Sequence, residues 1–164
     1  MKTLFIGGIK SGKSINAQNY TLKHSKNKPL YLATTEFFDE GMRQRIQEHQ
    51  AQRAHSFHTL EEPLEIYKTI SHATSPVLLE CVSMWINNML YHQHNFEDIK
   101  REMQKVLELP QDVVFVLNDV GSGIIPENKL AREYIDISGK IAQMIANRSD
   151  AVFHCIAGIA TKIK

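Results

Sequence analysis

Cysteine is scarce, charge of one sign is missing, and no apolar run approaches the length of a bilayer span. Each shortage removes a class of protein. Only two cysteines, Cys81 and Cys155, occur in 164 residues, both inside apolar runs, which fits buried thiols of a reducing compartment and excludes a disulfide framework. Lys and Arg number 19 against 18 Asp and Glu, for a formal charge of +1. No one-signed field is offered to nucleic acid or to a membrane surface, so any anion must be held by a local site. The eight histidines form neither a His-Glu-x-x-His pattern nor clustered Cys/His spacing, and zinc is not expected. A membrane-spanning helix needs about 20 apolar residues. The N-terminus offers one lysine and a short apolar run soon met by glycines. A cytoplasmic protein is expected. Repeats, low-complexity tracts and linkers are also missing, and with 43% hydrophobic residues the chain can bury one sizeable core. A single domain over residues 1–164 follows as the expectation.

What is present is a series of short, continuous apolar runs. Residues 3–6, 30–33, 77–80, 113–117 and 151–156 read as strands, with Pro29 and Pro76 announcing the second and third. Runs that do not alternate imply strands covered on both faces, as in a parallel sheet with helices above and below. Helical spacing lies between them: a helix is predicted over 13–23. Ile99, Met103, Val106 and Leu107 mark another over 96–109, and Leu130, Tyr134, Ile137, Ile141 and Ile145 mark one over 127–148. The least regular stretch runs from Thr34 to His58, where the charged residues 39–53 read either as an exposed helix with loop ends or as a segment carrying active-site groups.

The first strand runs directly into Gly7-Gly8-Ile9-Lys10-Ser11-Gly12-Lys13-Ser14. Gly7, Gly12, Lys13 and Ser14 fill every defined position of G-x-x-x-x-G-K-[ST]. In that loop backbone N–H groups surround phosphate oxygens while the following helix presents its positive end to the same charge. Lys13 would reach the outer phosphates, and the Ser14 hydroxyl would join a Mg²⁺ shell. Lys10 adds a second cation or simply faces solvent. Glu80 ends a buried strand, where a carboxylate is costly unless it emerges at the sheet edge or meets a cation. Metal support, proton abstraction and a structural hydrogen bond all remain open for it. Asn118, Asp119 and Gly121 follow the fourth of these strands and Gly158 the fifth, at the end of an open α/β sheet where ligands bind. For Asn118 and Asp119, substrate contact and turn formation both fit.

Along essentially its whole length the chain resembles the bifunctional adenosylcobinamide kinase/adenosylcobinamide-phosphate guanylyltransferase family of cobalamin biosynthesis. The matching stretches begin with the glycine loop, Tyr31-Leu32-Ala33-Thr34, Met42, Arg45-Ile46-Gln47-Glu48-His49, Arg53 and Thr59-Leu60-Glu61-Glu62-Pro63. They continue with Leu79-Glu80-Cys81, Trp85-Ile86-Asn87-Asn88-Met89-Leu90, the run from Asn118 to Asn128, Leu130-Ala131-Arg132, Asp136, Gly139 and Ala157-Gly158. Lys10, Ala54, Phe57 and Asp119 depart from the family's Arg, Pro, Trp and Glu. The resemblance implies a P-loop NTPase-like three-layer α/β/α fold with a mainly parallel sheet, and a homotrimer with active sites near subunit boundaries. It implies ATP or GTP as phosphoryl donor to adenosylcobinamide, GTP as GMP donor to adenosylcobinamide phosphate, and Mg²⁺. It implies His49 as the histidine that is guanylylated. Catalysis would rest on His49, Lys13 and Glu80. Residues 7–14 together with Thr34, Arg45, Arg53, Glu61 and Glu80 would bind nucleotide, and Ser14 and Glu80 the metal. Arg45 and Arg53 also fit carboxylate pairing on a solvated helix. Trp85, Met89 and Leu90 fit a subunit interface or ordinary core packing.

Two other readings use the same loop. A small-molecule kinase without nucleotidyl transfer leaves His49 no covalent task. A GTP-binding regulatory protein lacks its usual guanine-reading Asn-Lys-x-Asp, since Asn118-Asp119 has neither the lysine nor the later aspartate.

Overall fold

The computed structural model describes residues 1–36 and 55–164. Seven strands form one sheet: β1 Lys2–Gly7, β2 Leu30–Ala33, β3 His58–Glu61, β4 Val77–Glu80, β5 Val113–Asn118, β6 Ala151–Ile156 and β7 Ile159–Lys162. Their spatial order is β3-β2-β4-β5-β1-β6-β7. Every pairing is parallel except that of β7 with β6. The five described helices are α1 Lys13–His24, α2 Ile66–Ser71, α3 Val82–Tyr91, α4 Phe96–Glu108 and α5 Lys129–Arg148.

The non-alternating strands are explained by burial on two sides. One face presents Leu4, Leu32, Leu79, Phe115 and Leu117 to α2, α3, α4 and α5, where Trp85, Ile99, Met103, Ile141 and Ile145 complete a core. The other face presents Phe5, Tyr31, Leu78, Val114 and Val116 to Ala17 and Tyr20 of α1 and to Phe57. Successive residues of a strand point to opposite faces, so both sets must be apolar at once. This is the three-layer α/β/α arrangement with a mainly parallel sheet.

Trp85 and Met89, open between interface and core in the sequence, lie in the core with Leu90 packed against it. Strands β3 and β7 and helices α2 and α3 are absent from the sequence reading. Both strands are sheet edges with largely exposed side chains, and α2 has only six residues. Helix α4 begins on a capping box: the Asn95 side chain accepts from Asp98 N at 3.1 Å while the Asp98 carboxylate accepts from Asn95 N at 3.2 Å. Among the described residues no helix is long and apolar enough to cross a membrane.

Candidate nucleotide phosphate site

Parallel strands bring their carboxyl ends to one edge, and register fixes which residues meet there. Gly7 is level with Asn118 across β1 and β5. Ala33 is level with Glu80 on one side and Glu61 on the other. Glu61 and Glu80 are thus two strand spacings apart, about 10 Å between Cα atoms. One sheet edge therefore carries the glycine loop and both carboxylates.

The loop is closed tightly. Gly12 has a φ of 87° and caps the start of α1, with no side chain bonding the helix's first N–H groups and no acidic residue in the first turn. Those N–H groups carry the positive end of the helix. A Cβ on Gly12 would lie 2.7 Å from Gly158 Cα, and one on Gly7 would lie 2.4 Å from the Cys155 carbonyl oxygen. The hairpin between β6 and β7 explains the first approach, because Gly158 N donates to Ser11 O at 2.9 Å, and the second follows from Gly7 lying level with Cys155 where β1 pairs with β6. Asn16 Nδ2 then bridges Gly12 O at 2.9 Å and Gly158 O at 3.0 Å. Within this fold-back the Ser11 hydroxyl is buried and makes no hydrogen bond, leaving an unused donor inside the loop. Ile9 and Lys10 are exposed on its outer side.

Lys13 is only 8% exposed, and its Nζ donates to Gly8 O at 3.1 Å. Ser14 Oγ donates to Glu80 Oε1 at 2.7 Å. Charge from both Lys13 and Glu80 is felt at the Cys81 thiol, which places the three together; burial is the larger effect there and pushes that thiol up. Ser14 and Glu80 are hard oxygen donors side by side, the kind of partial set that suits Mg²⁺ completed by water and phosphate oxygens. Among the described residues no group of three or more His, Cys, Asp or Glu side chains could hold a metal by itself.

Glu80 is aimed by the turn behind it. Cys81 adopts a φ of 111°, a strained value for a residue with a side chain, and starts α3. Thr34, fully buried, bonds both carbonyls of this turn through Oγ1, at 3.2 Å to Glu80 O and 3.0 Å to Cys81 O. Asn88 Nδ2 in turn donates to Thr34 O at 2.7 Å and to Pro63 O at 3.2 Å. The Thr34 hydroxyl is therefore committed to carbonyls of the protein. Asp119 N donates to Gly7 O at 3.0 Å, and its carboxylate accepts from Gly121 N and the Ser122 hydroxyl. It shapes the loop after β5. Asn118 N donates to Ser83 Oγ at 2.8 Å, tying β5 to α3.

The structure thus gathers residues 7–14, Glu80 and Thr34 at one edge, with Glu61 further along it. The expectations for Arg45, His49 and Arg53 lie outside the described residues. Asn16 and Ser83 went unmarked in the sequence, and Asn88 stood there only within the matching stretch 85–90 with no role given, because each acts on backbone far away in the chain.

The chain matches the family model for cobinamide kinase / cobinamide phosphate guanyltransferase over residues 3–163. It is 33% identical over 183 residues, covering 100% of both chains, to the bifunctional adenosylcobalamin biosynthesis protein CobU of Escherichia coli. It is as similar to the protein of that name from Salmonella typhimurium, at 33% with the same coverage. The bifunctional adenosylcobalamin biosynthesis protein CobP of Pseudomonas aeruginosa is 34% identical, over 100% of this chain and 98% of that one. A looser likeness joins the crystal structure of flagellar accessory protein FlaH from Methanocaldococcus jannaschii, with a TM-score of 0.48 and 13% identity over 99% of this chain and 77% of the other. On the family match and the full-length relatives together, the chain belongs to the cobinamide kinase / cobinamide phosphate guanyltransferase family.

Proposed function

We propose that this chain is a bifunctional enzyme acting twice on a cobinamide. It phosphorylates the terminal hydroxyl of the aminopropanol arm of adenosylcobinamide with ATP or GTP. It then transfers GMP from GTP to the new phosphate, giving adenosylcobinamide-GDP and pyrophosphate. The family match over residues 3–163 supports the reaction pair. The single observation that carries the phosphate site is the contact of Ser14 Oγ with Glu80 Oε1 at 2.7 Å, beside a nearly buried Lys13 at the start of α1.

Lys13 leaves the Gly8 carbonyl for the outer phosphates, where its charge offsets the negative charge of the departing group. The amides at the start of α1 and the Ser11 hydroxyl donate to phosphate oxygens. Ser14 and Glu80 would hold Mg²⁺, which when bound would supply charge neutralisation at the phosphates. Glu61 binds nucleotide from the neighbouring strand end, Arg45 and Arg53 contact phosphate, and Thr34 acts at the nucleotide through its place on the edge. Neutral His49 uses an imidazole nitrogen to attack the α-phosphorus of GTP. A P–N bond forms, the bond to the bridging oxygen breaks, and pyrophosphate leaves. An oxygen of adenosylcobinamide phosphate then attacks the same phosphorus and frees the imidazole. One catalytic domain per subunit, a homotrimer and a cytoplasmic location complete the reading.

Purified protein incubated with α-labelled GTP and Mg²⁺ tests it. An acid-labile, alkali-stable label on the protein, lost in His49→Ala, is the expected result, with phosphorylation of adenosylcobinamide retained in that variant. Lys13→Ala is expected to impair both steps. An active wild-type kinase that takes no label would leave a kinase without guanylyl transfer.

A further inference from the structure

The Ser14–Glu80 contact fixes the reacting side of the phosphate loop. It lies toward β4 and β5, whereas the β6–β7 hairpin is strapped to Ser11 and Gly12 on the other side of β1. A macrocycle far larger than a phosphate cannot enter the loop, so its body must lie along the rim on the reacting side. One described segment that leaves the sheet there is residues 119–127, whose first N–H donates to Gly7 O.

That segment displays apolar side chains that the fold leaves in water. Ile124 is 97% exposed and Ile125 79%, with Leu130 at 65% on the first turn of α5. Isolated exposed hydrophobics are ordinary, whereas a cluster at the mouth of a site marks recognition. The isoleucines are held outward by polar ties. The Asp119 carboxylate closes the turn onto Gly121 and Ser122, and Arg132 Nη1 donates to Pro126 O and Glu127 O. Both isoleucines also line a cavity of about 130 Å³, together with Val120, Pro126, Arg132 and Asp136. It admits one side arm of a large ligand. Arg132 uses one nitrogen on the loop and keeps further N–H groups on its fork, while Asp136 offers only acceptors. A donor and an acceptor at one apolar cavity match a primary amide, which presents a carbonyl and an NH₂ together.

We infer that residues 119–127 and the start of α5 form the corrinoid subsite. The cavity takes a primary-amide arm between Arg132 and Asp136, and Ile124 and Ile125 lie against the apolar rim of the macrocycle. This rests on the reading of the chain as an enzyme of cobinamide. It extends that reading from the phosphates to the body of the acceptor, an amphiphile with peripheral amides. The loop brings the acceptor next to Gly7 with its shape already set, so little ordering remains to oppose binding.

The test uses the full chain as wild type, Ile124→Ser/Ile125→Ser and Asp136→Ala. Cobinamide binding is followed by equilibrium dialysis through its visible absorbance, alongside KM for cobinamide and for nucleotide, labelling by α-labelled GTP alone, and mass by sedimentation. Labelling with GTP needs no corrinoid, so it reports both folding and the nucleotide site. The expected result is a rise of about tenfold or more in Kd and KM for cobinamide in the double serine variant, with nucleotide KM, labelling and mass unchanged. Asp136→Ala should weaken cobinamide in the same selective way. Unchanged cobinamide affinity in both variants, beside normal wild-type binding, overturns the subsite alone. Loss of affinity only together with a fall in mass overturns it in favour of contact between copies of the chain. Failure of the wild type to bind or turn over cobinamide removes the functional reading and the subsite with it.

Discussion

Thr34 is the residue whose surroundings say most about how the site is held. Its hydroxyl reaches two carbonyls of the strained turn that aims Glu80 at Ser14, so Thr34→Val keeps the shape and removes the donor. Leaving buried carbonyls short of a partner costs about 1–3 kcal/mol, to be read from urea unfolding. A larger fall in kcat than in nucleotide affinity is expected, with recovery in Thr34→Ser. In a Glu80→Gln background the extra fall in kcat should vanish; if it persists, Thr34 does not act through Glu80. Gly12 gives a second test. At a φ of 87° with Gly158 Cα 2.7 Å from any Cβ, Gly12→Ala must strain the backbone, by about 1–3 kcal/mol, and push the hairpin off the loop. Weakened nucleotide binding by calorimetric titration is expected, and unaltered affinity would speak against the fold-back as part of the site. The need for glycine at position 12 was legible from its place in the motif. Its closest neighbour, 146 positions along the chain, was not.

Among the elements, α3 shows how a sequence leaves a choice that packing resolves. Trp85 on this helix is fully buried and its Nε1 donates to Leu64 O at 2.9 Å. Trp85→Ala should therefore cost about 3–5 kcal/mol through a cavity and leave Leu64 O with only its bond from Ile66 N among those described. A loss below 1 kcal/mol in chemical denaturation would contradict a core position. At the start of α4, Asn95→Ala removes a capping box and should cost about 1 kcal/mol. Strands β1, β2, β4, β5 and β6 were legible because both of their faces are buried, which writes an unbroken apolar run into the chain. His58-Thr59-Leu60-Glu61 carries no such run because β3 lies at an edge, and Ile159–Lys162 is the opposite edge. The glycine loop was legible from local spacing. The Asn88–Thr34–Glu80 relay was not, because it is built from hydrogen bonds across 46 and 54 positions.

Over the whole molecule, the sheet order sets β1 between β5 and β6, so that one neighbour brings the loop of residues 119–127 and the other the hairpin that straps the glycines. The same closure buries thiols. Burial pushes Cys81 and Cys155 above the ordinary value of 9.0, so the folded chain keeps two protons that the unfolded chain releases as pH passes about 9. The folded state then binds more protons, and stability falls as pH rises through that window until the folded thiols also ionise. Urea midpoints at pH 7.5 and 9.5 should fall more in wild type than in Cys81→Ser/Cys155→Ser, and equal falls would remove the thiols as the cause. The most direct measurement of all is a crystal structure with a non-hydrolysable GTP analogue and Mg²⁺. Its outer phosphates should lie against the amides that open α1, with Lys13 Nζ moved from Gly8 O onto a phosphate oxygen and the ion beside Ser14 and Glu80. Phosphates bound elsewhere, with Lys13 still on Gly8 O, would contradict the phosphate site on which every chemical step depends.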